Sequence, residues 1–63
     1  MNTYRVEIKE DFQLYRPNLV AYLKKSGFNV VRGNDVKVTV YALPSQIEDL
    51  EEEIGNFISV TNL

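Results

Sequence analysis

The spacing of apolar residues switches between two periods along the chain, and the order of these switches constrains the fold more than any other feature. Residues 3–9 alternate between apolar and charged side chains. This period of two predicts a half-buried strand. The same alternation predicts three more strands, at residues 28–32, 36–41 and 57–61. Helical spacing occurs twice, once after the first strand and once after the third, so two helices are predicted between the strands.

The first helix is predicted to begin between Gln13 and Arg16 and to end near Ser26. Pro17 sets this start, because proline is tolerated in the first turn of a helix and breaks its interior. Gly27 is the expected C-terminal stop. The side predicted to be buried carries Tyr15, Leu19, Tyr22 and Leu23, with Val20 at its margin.

The second helix follows Pro44 and ends near Gly55. Ser45 followed by Glu48 matches the capping box, in which each side chain caps the other residue's backbone N–H. An apolar stripe at helical spacing predicts the buried side, formed by Ile47, Leu50 and Ile54. The opposite side is predicted to be acidic.

The central hairpin turns at Gly33-Asn34-Asp35. A three-residue loop pairs Val30 with Val38, whereas a two-residue loop pairs Val30 with Lys37. The three-residue loop is favoured because it keeps the valines of both strands on one face, and a one-residue slip reverses every side chain. Asn or Asp supplies the left-handed residue that such a loop needs.

The predicted order is β-α-β-β-α-β within a single domain, residues 1–63. Crossovers between parallel strands are right-handed, and two such halves joined by a hairpin form a ferredoxin-like fold. The predicted fold class is therefore α+β. Its four-stranded antiparallel sheet has the order 4-1-3-2, and both helices lie on one face.

Residue types argue against catalysis. The chain has no histidine, cysteine or tryptophan. It therefore offers no imidazole for acid–base chemistry, no thiolate nucleophile and no His or Cys metal ligand. Its three glycines are each explained by a turn or a helix end, so no phosphate-binding loop is predicted. We predict a non-enzyme with no catalytic residues, no cofactor and no metal.

Charge is distributed unevenly along the chain. Residues 1–37 carry all seven bases and four acids, whereas residues 38–63 carry five acids and no base. Four of these acids are predicted to form a stripe on the second helix that binds a basic protein surface, as in an inhibitor or adaptor: Glu48, Asp49, Glu52 and Glu53. The alternative is a solvated face that serves solubility, with early acids favouring the helix dipole.

The open face of the sheet is the second candidate surface. It is predicted to expose basic residues beside an aromatic ring, the elements that bind single-stranded nucleic acid. The residues concerned are Arg5, Lys9, Lys37 and Tyr41, accompanied by Glu7, Val31 and Thr39, with Phe57, Ser59 and Thr61 as further candidates from the last strand. The third strand lacks the Lys/Arg-Gly-aromatic run of RNA-recognition motifs. The alternative is the ordinary solvated face of an antiparallel sheet.

Location and self-association are predicted from composition. No apolar run approaches the roughly 20 residues that cross a bilayer, and residues 1–5 contain no apolar signal core. A cytoplasmic protein without membrane contact is therefore expected. A core this small contributes little net stability. A homodimer that covers Val31, Tyr41 and Phe57 is the expected means of adding to it.

Overall fold

The computed structural model describes residues 1–63 and confirms the predicted architecture. Its elements, in chain order, are β1 (Asn2–Ile8), a 3₁₀ helix (Glu10–Tyr15), α1 (Leu19–Lys25), β2 (Asn29–Gly33), β3 (Lys37–Ala42), α2 (Pro44–Ile54) and β4 (Ile58–Asn62). The strands form one antiparallel sheet in the order β2-β3-β1-β4, which is the predicted order read from the other edge. The fold is α+β and ferredoxin-like.

The core lies between one face of the sheet and the two α-helices. In the central strands, Tyr4 pairs with Val40 and Val6 pairs with Val38, and all four side chains are buried. The helices contribute Leu19, Leu23, Ile47 and Leu50, and β4 contributes Ile58. Every one of the twelve buried residues is apolar. The predicted inward faces of both helices and of the central strands are therefore confirmed, except at Tyr15.

The start of the first helix differs from the prediction. Residues 10–15 form a separate 3₁₀ helix, and α1 begins only at Leu19. A residue before proline is kept out of the right-handed helical region, and Arg16 adopts a left-handed conformation with φ 51°. Asn18 then caps α1, since its side-chain oxygen accepts a hydrogen bond of 3.1 Å from the Ala21 N–H. Tyr15 is consequently exposed and does not join the core.

The register of the central hairpin also differs from the prediction. Val30 pairs with Val40, and a β-bulge follows, so that Arg32 lies opposite Thr39 and Gly33 opposite Val38. The bulge adds one residue to β2, so Val31 is exposed and has no partner on β3. Val30, Val38 and Val40 lie on the core face although the predicted pairing does not form. Both predicted registers were wrong, whereas the predicted core face of the hairpin was right.

The predicted capping box at Ser45 is wrong, because the N-cap of α2 is Leu43, two residues earlier, and Pro44 is the first residue of the helix. Proline suits this position, since its missing N–H has no partner within the helix there. The Gln46 side-chain oxygen accepts a hydrogen bond of 2.9 Å from the Leu43 N–H. No helix of the structure has the length and apolar character needed to cross a membrane.

Candidate functional site

The exposed side of α2 is almost entirely acidic. The structure places all four predicted acids there and adds a fifth, so we define the acidic face as Glu48, Asp49, Glu51, Glu52 and Glu53. All five are exposed, while Ile47 and Leu50 point into the core. Asp49, Glu52 and Glu53 alone line a shallow depression of about 300 Å³. No cluster of acidic side chains has a metal-binding arrangement.

The acidic residues of α2 lie at positions where their charges reduce the stability of the helix. Its first turn contains no acid and its last turn contains no base, which corrects the expectation that acids near its start favour the helix dipole. Carboxylates near the C-terminus are repelled by the negative end of that dipole. Glu48 and Glu52, and likewise Asp49 and Glu53, are like-charged pairs at i,i+4 spacing, which destabilise a helix. Helix stability therefore does not account for this charge pattern.

Glu53 joins the acidic face to the neighbouring helix. Burial raises the pKa of the Tyr22 hydroxyl above its ordinary value of 10.0, and the nearby Glu53 carboxylate raises it further. The acidic face thus extends to the boundary between α2 and α1.

The open face of the sheet carries a second group of charges. Strand pairing places Arg5 opposite Thr39, and Glu7 opposite Lys37, on the side away from the helices. Arg5 and Lys37 line one cleft of about 390 Å³. Tyr41 is exposed, and it lies two residues along β3 from Thr39, about 7 Å away.

Two predicted members of the open face do not line this cleft. Lys9 follows β1, where its N–H donates a hydrogen bond of 2.9 Å to the Phe57 carbonyl, and it does not line the cleft. Phe57 precedes β4 and packs edge-to-face on Phe12 of the 3₁₀ helix, with ring centroids 4.8 Å apart. The cleft therefore brings together Arg5 and Lys37 without these two residues, and Tyr41 lies near it on β3.

The cleft contains one basic residue that was not predicted from the sequence. Arg32 lines it together with Arg5, Lys37, Asn34 and Thr39. Strict alternation from Val30 assigns Arg32 to the core side, and the bulge moves it to the open face opposite Thr39. The adjacent valines Val30 and Val31 were the only sequence signal that the alternation breaks here.

An apolar surface at one end of the sheet was not predicted either. Phe12 and Phe57 form a cavity of about 410 Å³ together with Ile8, Tyr15 and Pro17. Tyr15 is 81% exposed and Leu14 is 89% exposed. The 3₁₀ helix that carries both residues buries no side chain completely. Its position depends on the left-handed turn at Arg16, which periodicity does not reveal.

Comparison of the chain with protein-family models, with curated proteins and with solved structures finds no match.

Proposed function

We propose that this protein is a non-catalytic interaction module that binds a basic protein surface through the acidic face of α2. The observation that carries the proposal is the placement of five exposed carboxylates on a helix that they destabilise. Two like-charged pairs at i,i+4 spacing, and three acids in the last turn, each reduce the stability of this helix. A cationic partner relieves this repulsion, so binding recovers free energy that the free protein lacks.

The acidic face suits the recognition of a basic protein in two ways. Its side chains are already exposed and lie on a regular helix, so little rearrangement accompanies binding. A concentrated negative field also accelerates association with a positive surface, and the acceleration falls as salt rises. This behaviour fits an inhibitor or adaptor that occupies a basic surface. The non-catalytic part of the proposal rests on the missing histidine and cysteine.

Neutralising the acidic face tests the proposal. The helix variant replaces Glu48, Glu52 and Glu53 by Gln and Asp49 by Asn. The control variant makes the same four-charge change at the four acids outside α2, namely Glu7, Glu10, Asp11 and Asp35. Proteins retained from a host lysate by each immobilised chain are identified by mass spectrometry. A retained basic protein is then purified and titrated against all three chains.

We expect the helix variant to bind at least tenfold more weakly than the control variant, because net charge is equal in both and only its position differs. Native and control chains should also lose affinity as salt rises. Equal affinities of the two variants, with both folded by circular dichroism, contradict the proposal.

A second candidate function is the binding of single-stranded nucleic acid on the open face. The specific observation in its favour is Arg32, which the bulge adds to Arg5 and Lys37 around one cleft. The three basic side chains can contact successive phosphates of the nucleic-acid backbone, while a nucleobase stacks on the exposed ring of Tyr41. The acidic face does not oppose this, because it lies on the other side of the sheet.

Fluorescence anisotropy with a labelled single-stranded oligonucleotide tests this second candidate. Replacing Arg32 by alanine is expected to weaken binding several-fold and to lower the salt slope by about one, as for the loss of one phosphate contact. Lys24→Ala removes the same charge from α1 and serves as the control. Absence of binding at low salt, or equal losses in the two variants, excludes the open face as a nucleic-acid site.

A further inference from the structure

Two depressions lie between the two α-helices, and one of them adjoins the apolar cavity at the end of the sheet; we call the three together the groove. At one end its walls include Ser26 of the α1 C-terminus and Asp49 and Glu53 of α2. The second depression is lined by Tyr22, Leu19 and Ile54. It shares no lining residue with the first, and the two adjoin where Tyr22 lies beside Glu53. The second depression shares three residues with the cavity beside Phe12: Ile8, Pro17 and Phe57.

The groove has an apolar end and an acidic wall. The cavity of about 410 Å³ is lined by apolar and aromatic side chains, and at its edge Tyr15 is largely exposed and Phe57 is half exposed. Asp49 and Glu53 are the only charged residues that line any section of the groove. Both also belong to the acidic face, so the groove is continuous with the surface already proposed to bind a partner.

Charge alone does not give a tight complex. Exposed ion pairs each contribute little, because both charges remain hydrated and salt screens them. Tight interfaces depend on a few aromatic or large apolar side chains that are buried at their centre, while the charged rim steers the encounter. The acidic face provides such a rim, and the cavity beside Phe12 is large enough to receive one side chain of this kind.

We propose that the groove binds a basic segment of the partner protein, with one aromatic or large aliphatic side chain of that segment inserted beside Phe12 and Phe57. The basic side chains of the segment meet Asp49 and Glu53 along the wall of α2. This inference rests on the proposed function and adds to it the chemistry of the partner. Charge complementarity selects a basic occupant, because no base lines the groove.

Two synthetic lysine-rich peptides test the proposal. They are identical except that one carries a central tryptophan and the other a serine. The protein contains no tryptophan, so the emission of the peptide reports its own surroundings. The serine peptide is measured by competition with the first. The chains compared are the native protein, Tyr15→Ala at the cavity edge, the helix variant, and Tyr41→Ala as a matched control on the open face.

We expect the tryptophan peptide to bind the native chain with a blue-shifted emission and at least tenfold more tightly than the serine peptide. Tyr15→Ala should remove about tenfold of this affinity, and Tyr41→Ala should leave it unchanged. Binding to the helix variant should be weak. Both substituted tyrosines are exposed, so neither variant is expected to unfold the protein.

Other outcomes overturn the proposal in distinguishable ways. Equal affinity for the two peptides, lost only in the helix variant, refutes the apolar anchor and leaves the acidic face intact. If the tryptophan peptide binds tightly, and its affinity changes neither with salt nor in the helix variant, a basic occupant is refuted. Sedimentation that shows a dimer abolished by Tyr15→Ala assigns the groove to a second copy instead. If neither peptide binds at low salt, the groove and the proposed function both fail.

Discussion

Replacing Glu52 by lysine is expected to stabilise the fold while weakening the binding of a basic partner. Glu52 lies four residues after Glu48 and in the last turn of α2. Lysine at this position converts a repelling pair into a Glu–Lys pair in the favourable order. It also places a positive charge near the negative end of the helix dipole.

The size of the effect follows from these contacts. Losing the repulsion and gaining the attraction contribute about 0.3 kcal/mol each at exposed i,i+4 positions. The dipole adds about 0.5 kcal/mol. The free energy of unfolding therefore rises by about 1 kcal/mol at low salt, which raises Tm by roughly 6 °C in a domain of this size. The gain should shrink at physiological salt, because Glu52 is exposed.

Thermal unfolding followed by circular dichroism at low salt measures this gain. Asp11→Lys makes the same change in net charge within the 3₁₀ helix and should alter Tm much less. A Tm of the Glu52→Lys chain at or below the native value refutes the reasoning that the acidic face opposes helix stability. A gain in Tm together with lost partner binding excludes misfolding as the cause of that loss.

Further predictions concern the hairpin, the core and alkaline pH. A Cβ at Gly33, where φ is +151°, would lie 2.5 Å from the Lys37 carbonyl oxygen. Gly33→Ala should therefore lower the free energy of unfolding, measured in urea, by about 3 kcal/mol. Gly27→Ala places its Cβ in open space and should lower the free energy of unfolding by about 1 kcal/mol; equal losses at the two glycines contradict the close approach of Gly33 to Lys37. Leu23→Ala empties a fully buried site and should lower the free energy of unfolding by about 3 kcal/mol, and a loss below about 1 kcal/mol contradicts its central place in the core. Because the pKa of Tyr22 is raised by burial in the folded state, stability should fall as pH rises above 10.0 and fall less steeply in Tyr22→Phe; parallel urea midpoints of the two chains contradict this linkage.

The strands and the core were predictable because alternation alone decides which side chains face the helices. Tyr4, Val6 and Ile8 show this for β1, and the acidic face of α2 followed from the same kind of periodicity. The bulge was not predictable, since either Val30 or Val31 can occupy the inward position. Its consequence for Arg32 was missed for the same reason.

Local backbone geometry accounts for the remaining differences. Periodicity correctly identified Leu19 and Leu23 as the buried side of α1, whereas the start of that helix depended on the left-handed turn at Arg16. That turn exposes Tyr15 and forms the apolar cavity. Four of its lining residues lie within residues 8–17, but the fifth is Phe57 near the other end of the chain, so no single stretch of sequence contains its pattern.

The central claim is that the acidic face of α2, and not the open face of the sheet, is the functional surface. Amide NMR of the labelled protein tests it most directly, with the lysine-rich tryptophan peptide and a single-stranded oligonucleotide titrated separately at low and physiological salt. We predict that the peptide shifts the amides of residues 48–53 and that these shifts weaken as salt rises. Unperturbed amides at these positions, or shifts confined to Arg5, Arg32 and Lys37 with the oligonucleotide, contradict the claim.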